Sequence, residues 1–329
     1  MKVIIPAAGI GTRLRPHTYN RPKAMVKIAG VPIIGHILNR LEKISPEEIL
    51  IIVGYKKDTL INWVNKKYQN LNIKFVQQKK MEGLGHAVYM TKESVTNTEL
   101  LIILGDTIVD IDLKKFTNSK HTTLATKKVK NPKRFGIAEL NKKGFIENLI
   151  EKPDNPTSNE ALIGVYYIKE SQPLFNSLKY IIENDIRTKG EYQITDALNR
   201  MLKQNNKMKT YNITKWFDCG TIETLLSTNK FLLDKQEDSF IKGKLSNCVI
   251  NHPVYIDSNV EIKDSIIGPY VSISEKARIS NSIIKNSIIY EESFLNNLNI
   301  QSSIIGKKSS LNLNSKQINI GDKTSIKGD

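Results

Sequence analysis

"KVIIPAAGIGTRLRPHTYNRPKAM", residues 2–25, opens on an apolar run and passes at once into small residues and cations. The run Lys2–Pro6 is short and nearly unbroken, the pattern of a strand covered on both faces. The next segment reads as a loop, since no helical pattern begins until Pro32. Arg13, Arg15 and Lys23 line it, and no acid does. Such a loop suits phosphate. Gly9 and Gly11 let backbone N–H groups approach phosphate oxygens, and Arg13 can fork two of them. Lys23 adds a compact charge after Pro22 has stiffened the chain. Neither common phosphate loop fits. A dinucleotide fingerprint needs glycine where Leu14 stands, and the Gly-Lys-Ser/Thr of a P-loop occurs nowhere.

Working outward, the runs "ILIIV" (49–53), "IKFV" (73–76) and "LLIIL" (100–104) repeat the buried-strand pattern. Helical patterns lie between and after them. Ile33, Ile34, Ile37, Leu38 and Leu41 form one stripe just after Pro32, and further helices are expected near 171–184 and 194–204. The stretch 121–168 is strand-rich, with "FGIAEL" and "ALIGVYYI". This alternation predicts an open doubly wound α/β domain over residues 1–235.

After the polar connection "DKQEDSFIKGK" (234–244) the rhythm changes. Ile250, Ile256 and Ile262 are six apart, as are Ile267, Ile273 and Ile279, and "DSIIG", "NSIIK", "NSIIY" and "SSIIG" recur between 264 and 306. A six-residue period with one inward aliphatic per short strand predicts a parallel β-helix over 244–329. A β-sandwich would show period-two alternation and hairpin turns instead.

The 49 basic and 33 acidic side chains leave a formal charge of +16, which suits an anionic partner. The lysines are spread without a run of five, so neither a nucleic acid nor a membrane surface is expected as partner. Cys219 and Cys248 are far apart, and the five histidines lack metal-ligand spacing. No stretch reaches the ~18 apolar residues that span a bilayer, and Met1 leads straight into a strand; a cytoplasmic protein is expected.

With its G-x-G-T-R core and Pro-Lys pair, "GIGTRLRPHTYNRPKAM" resembles the signature of the sugar-phosphate nucleotidylyltransferases. The resemblance continues through "QKKMEGLGHAV" (78–88), "LGD" (104–106), "FGIAEL", "LIEKP" (149–153), "GEYQITDAL" (190–198) and "WFDCGT" (216–221). It implies a Rossmann-like doubly wound mixed sheet, followed by the short left-handed parallel β-helix familiar in longer members. It also implies transfer of a nucleotidyl group from a nucleoside triphosphate to a sugar-1-phosphate, with Mg²⁺ as cofactor. In that reaction a sugar-phosphate oxygen attacks the α-phosphorus and pyrophosphate leaves. Two anions meet, so preorganised cations are the remedy and no protein nucleophile is required.

By resemblance, Ala7, Ala8, Gly9, Gly11, Thr12, Gln78 and Gly83 bind the nucleotide, Gln78 offering the donor and acceptor that a pyrimidine edge needs. Arg13 and Lys23 serve the triphosphate and the departing pyrophosphate. Asp106 and Asp218 hold the metal, and Lys152 holds the phosphate of the incoming sugar. Gly136, Glu151, Leu162, Gly164 and Glu191 form the sugar pocket. Asp110 reads as a turn or supporting acid, and His86 as a packed or surface helix residue. For substrates the expectation is dTTP, with UTP close behind, and glucose-1-phosphate. Guanylyl transfer to mannose-1-phosphate is an alternative, as is a bifunctional enzyme joining uridylyl and acetyl transfer on glucosamine-1-phosphate. His252 is the only histidine in the repeats, so assembly is the expected role there, and a homo-oligomer the expected state. A non-catalytic binding subunit would have lost Arg13, Lys23, Asp106 or Asp218, and all four are present.

Overall fold

The computed structural model describes residues 1–236, 238–312 and 319–327, so residues 313–318 and 328–329 of the expected repeat region lie outside the described residues. Packing groups the chain into two units. One joins Met1–Ile10 to His36–Trp216, and the other joins Gly11–Gly35 to Phe217–Asp329.

The first unit is built on a nine-stranded sheet. Its strands are β1 (Lys2–Pro6), β2 (Glu48–Val53), β3 (Ile73–Gln77), β4 (Leu100–Ile103), β5 (Thr122–Lys128), β6 (Gly136–Leu140), β7 (Ile146–Glu151), β8 (Glu160–Ile168) and β9 (Met208–Asn212). The order is β7-β6-β8-β4-β1-β2-β3, with β5 pairing with both β8 and β9. Strands β4, β1, β2 and β3 are parallel, with Lys2 opposite both Glu48 and Leu100. Strand β8 then runs antiparallel to β4, which makes the sheet mixed.

The apolar runs of β1, β2 and β4 are buried throughout their middles, as strands inside a helix-covered sheet should be. The third run differs. Strand β3 is only partly buried, because it ends the sheet order and has a neighbour on one side only. Ile4, Leu50, Ile52 and Ile102 pack in one cluster with Leu174 and Leu178 of helix Ser171–Glu183 and with Leu198 and Met201 of helix Ile194–Lys203. Each such buried aliphatic contributes roughly 1.5–3 kcal/mol of hydrophobic free energy.

In the second unit, parallel strands coil. Lys244 pairs with Glu261 and Glu261 with Arg278, 17 residues on each time; Arg278 pairs with Phe294 and Phe294 with Ser310, 16 on. Ile250, Ile256 and Ile262 therefore sit on successive faces of one turn and stack on Ile267, Ile273 and Ile279 of the next. Six residues is the step between faces, and 16 or 17 is the step between layers. The recurring phrase has a local explanation. Asp264, Asn281, Asn286 and Ser302 all have positive φ, between 43° and 51°, and turn the corners. Short polar side chains tolerate that backbone best. The serines next in sequence, Ser265, Ser282, Ser287 and Ser303, point inward, and each donates to the carbonyl two residues back. The second isoleucines, Ile267, Ile284, Ile289 and Ile305, fill the interior.

Candidate active site

In the first unit the chain leaves β1 toward β2 and β3, then returns through β4 on the other side of β1. Such a reversal opens a crevice beyond the carboxyl ends of the two strands. Ala7, Ala8 and Gly9 leave β1 on one lip, and Leu104, Gly105 and Asp106 leave β4 on the other. Gly105 N–H donates to Pro6 O at 2.9 Å and stitches the lips together, while Ala7 N–H donates to Ile52 O of β2 at 2.8 Å. Ala7 and Ala8 are buried, Gly9 is exposed and Asp106 is half-buried.

Gln78 directly follows β3. Its backbone N–H donates to Val53 O at 2.8 Å, and its side-chain Nε2 lies 3.3 Å from both Gly83 O and His86 Nδ1. His86 Nε2 is also 3.5 Å from the Glu82 carboxylate. The segment is tied to "GEYQITDAL" (190–198), since Tyr192 N–H donates to Glu82 O at 2.9 Å and the Tyr192 carbonyl accepts from Gly85 N–H at 2.8 Å. A Cβ at Gly83 would lie 2.6 Å from Tyr192 O. Gln78 and Gly83 are thus brought beside Glu191, whose carboxylate accepts from Gln193 Nε2 at 3.1 Å.

Gly136 opens β6 and Glu151 closes β7, and the two residues pair across the strands. Thr195 Oγ1 donates to Glu151 Oε2 at 2.7 Å, and Lys152 Nζ is 3.5 Å from Glu151 Oε1. Lys152 itself has φ of 44°, and its N–H donates to Phe135 O at 3.0 Å. Leu162 and Gly164 lie where β8 bulges. Gly164 has φ of 78°, its carbonyl accepts from Leu104 N–H at 2.9 Å, and a Cβ there would meet Leu104 Cδ1 at 2.5 Å. Its glycine is therefore required by the close approach of the strand that delivers Asp106. Burial, with the Glu151 charge adding to it, pushes the Tyr166 phenol well up, so it stays protonated.

In the second unit, Thr12 and Arg13 are exposed on a single 3₁₀ turn, Thr12–Leu14, whose Leu14 is buried. Thr18 Oγ1 donates to Gly11 O at 2.8 Å and closes the loop. Lys23 starts a second 3₁₀ turn, Lys23–Met25. A Cβ at Gly220 would lie 3.6 Å from both Asp218 Oδ1 and Lys23 Nζ, so this unit brings Lys23 and Asp218 to the same place.

Residues 2–235 match the model of the nucleotidyl transferase family. The chain belongs to that family. As a sugar-1-phosphate nucleotidyltransferase it carries an additional match over residues 236–295, to the GlmU-like C-terminal hexapeptide model. A Methanocaldococcus jannaschii protein named bifunctional protein GlmU is 34% identical to this nucleotidyltransferase, covering 97% of this chain and 81% of its own. Glucose-1-phosphate thymidylyltransferase of Streptomyces griseus is 26% identical over 93% of this chain and 92% of its own. A solved UDP-glucose pyrophosphorylase complexed with UDP-glucose superimposes with a TM-score of 0.61 at 26% identity, covering 71% of this chain and 99% of that one.

Thr195 and His86 were not singled out from the nucleotidyltransferase sequence as site residues. Thr195 lies within the quoted "GEYQITDAL", but its partner is 44 residues away on β7. His86 is marked by its contacts with Gln78 and Glu82. Asp110 N–H donates to Lys215 O at 2.8 Å. Among the described residues, no group of three or more His, Cys, Asp or Glu side chains is arranged to hold a metal, and no helix is long and apolar enough to cross a membrane.

Proposed function

We propose that the enzyme transfers the nucleotidyl group of dTTP or UTP to a hexose-1-phosphate, glucose-1-phosphate first among them. The observation that carries this reading is the crevice at the β1/β4 reversal, with Ala7–Gly9 on one lip and Asp106 on the other. The names of the Streptomyces griseus relative and of the UDP-glucose complex support a pyrimidine nucleotide and glucose. The sugar-phosphate oxygen bonds to the α-phosphorus while the bond from that phosphorus to the β-phosphate oxygen breaks, and pyrophosphate departs. Arg13 and Lys23 take the negative charge gathering on the triphosphate. Lys152 holds the sugar's phosphate, and Glu151, oriented by Thr195, accepts hydrogen bonds from sugar hydroxyls. Ala7, Ala8, Gly9, Gly11 and Thr12 receive the nucleotide, with Gln78 and Gly83 at the base.

The carboxylates of Asp106 and Asp218 are each proposed as magnesium ligands. Both are half-buried; Asp106 lies in the turn just past the end of β4 and Asp218 ends the short strand Trp216–Asp218, and few protein oxygens per ion is what magnesium takes when phosphate supplies the rest. When bound, the ion would supply neutralisation of charge on the triphosphate. A homo-oligomer working in the cytoplasm completes the proposal. Its support is the exposed Leu245, Val249 and Phe294 on the coiled strands, together with two cysteines that form no disulfide.

The test is pyrophosphate release from each of the common nucleoside triphosphates, paired with glucose-, glucosamine- and mannose-1-phosphate. Release with GTP and mannose-1-phosphate only would overturn the pyrimidine reading. A second activity, acetyl transfer, is favoured by the hexapeptide match and by the name of the Methanocaldococcus relative. Thiol release from acetyl-CoA in the presence of glucosamine-1-phosphate decides it.

A further inference from the structure

The phosphate-binding loop is anchored to the coiled strands within its own unit, and the anchor is electrostatic. Glu291 is 7% exposed and Tyr290 is fully buried, both on one turn of the coil. The Glu291 carboxylate pairs with Lys27 Nζ, and Arg21 stands 4.0 Å from it on the other side. Arg21 also lies 4.9 Å above the Tyr290 ring and 3.5 Å from Asp322. Tyr290 Oη donates to Lys27 O at 3.2 Å, and His17 Nε2 is 2.5 Å from Asn319 Oδ1. Farther along the segment, Ala29 N–H donates to buried Asn229 Oδ1 at 2.8 Å, which also accepts from Ser272 Oγ at 2.6 Å. The anchored cations Arg21 and Lys27 flank Lys23 in sequence, and the anchored His17 lies between Arg13 and Lys23.

We infer that Glu291 is a positioning residue for nucleotidyl transfer. It takes up the charge of Lys27 and Arg21, fixing the backbone on both sides of Lys23, so that the loop meets the triphosphate already formed. The coil thus contributes to the chemistry of the amino-terminal motif without touching substrate. A buried charge-assisted contact of this kind is the strong sort, and removing one partner leaves the other uncompensated. The Lys27 ammonium would then lose this partner, and the Tyr290 bond alone would tie the Lys27 backbone to the coil. The inference rests on the proposed role of Arg13 and Lys23 at the triphosphate.

The experiment is steady-state kinetics on the full-length Glu291→Gln protein, with nucleotide and sugar phosphate varied separately. Glu292→Gln serves as control, since the Glu292 side chain is 37% exposed and pairs with Lys307 and Lys308 at the surface. The expected result is a rise of about tenfold or more in the KM for the triphosphate, the scale of a lost charge-assisted contact, with the KM for sugar phosphate near its original value. The control should match the unaltered enzyme. A merely structural role would lower the active fraction, and so kcat, leaving both KM values in place. That outcome, or equal rises in both KM values, overturns the inference. Should Glu291→Gln fail to fold, Tyr290→Phe decides: loss of its bond to the Lys27 carbonyl should raise the triphosphate KM selectively, and an unchanged value overturns the inference. If the unaltered enzyme releases no pyrophosphate from any triphosphate and sugar phosphate, it is the proposed function that fails.

Discussion

Replacing Gly136 by alanine would place a methyl carbon 2.9 Å from Glu151 Oε2, 3.0 Å from Thr195 Oγ1 and 3.1 Å from Leu162 Cδ1. The first two atoms are the bonded pair of the proposed sugar pocket, held at 2.7 Å. Neither can retreat without breaking that bond or carrying Lys152 with it, 3.5 Å from the same carboxylate. Leu162 is buried and closes the third side. Overpacking of this kind costs about 1–3 kcal/mol. Borne at the pocket, that is roughly a 5- to 150-fold loss in kcat/KM for sugar phosphate, since each ~1.4 kcal/mol is tenfold. The assay is initial-rate pyrophosphate release with triphosphate saturating and sugar-1-phosphate varied, beside a thermal melt of the same protein. The expected signature is a raised KM for sugar phosphate and an almost unchanged KM for triphosphate. A folded Gly136→Ala enzyme with an unaltered sugar-phosphate KM would refute the reasoning, as would one whose triphosphate KM rises equally.

Asp106→Asn and Asp218→Asn should each lower turnover in Mg²⁺ by several orders of magnitude without changing the melting temperature; near-normal activity in either variant would remove that residue from the metal. Arg13→Ala should act mainly on kcat, because the departing pyrophosphate is the proposed partner of its charge, whereas Lys152→Ala should act mainly on the sugar-phosphate KM. Kinetics of both variants with both substrates separate the two roles. Glu291 makes a pH prediction. Burial by itself raises its carboxyl, but Lys27 and then Arg21 outweigh burial and hold it below the ordinary carboxylate range. A carboxyl depressed on folding stabilises the protein above its unfolded pKa, about 4.3, and that contribution is lost as pH falls through the folded value. Urea midpoints measured from about pH 6 down to about pH 3 should therefore fall less steeply in Glu291→Gln than in the parent; coincident curves would mean that the carboxyl carries no such charge when folded.

The elements themselves were legible because their signals are local. Unbroken aliphatic runs such as Lys2–Pro6 and Leu100–Ile103 marked buried strands, and the six-residue spacing of Ile250, Ile256 and Ile262 marked a coil whose faces each need one inward aliphatic. Candidate residues were legible where a motif carries its own chemistry, as the glycines and cations of residues 9–23 do. Contacts between distant segments were not. That β3 lies at an edge, that Thr195 orients Glu151, and that Gly164 is required by Leu104 depend on which strands come to lie side by side, and a short apolar run carries no address for its neighbour. The same holds for the loop that opens the sequence. Its composition pointed to phosphate, but cations spaced along one stretch of loop look alike in a sequence. Tertiary structure alone shows that Arg21 and Lys27 face a carboxylate more than 260 residues away. Charge pairing across such a separation is decided by the fold that brings the partners together, because nothing in the spacing of either segment encodes it.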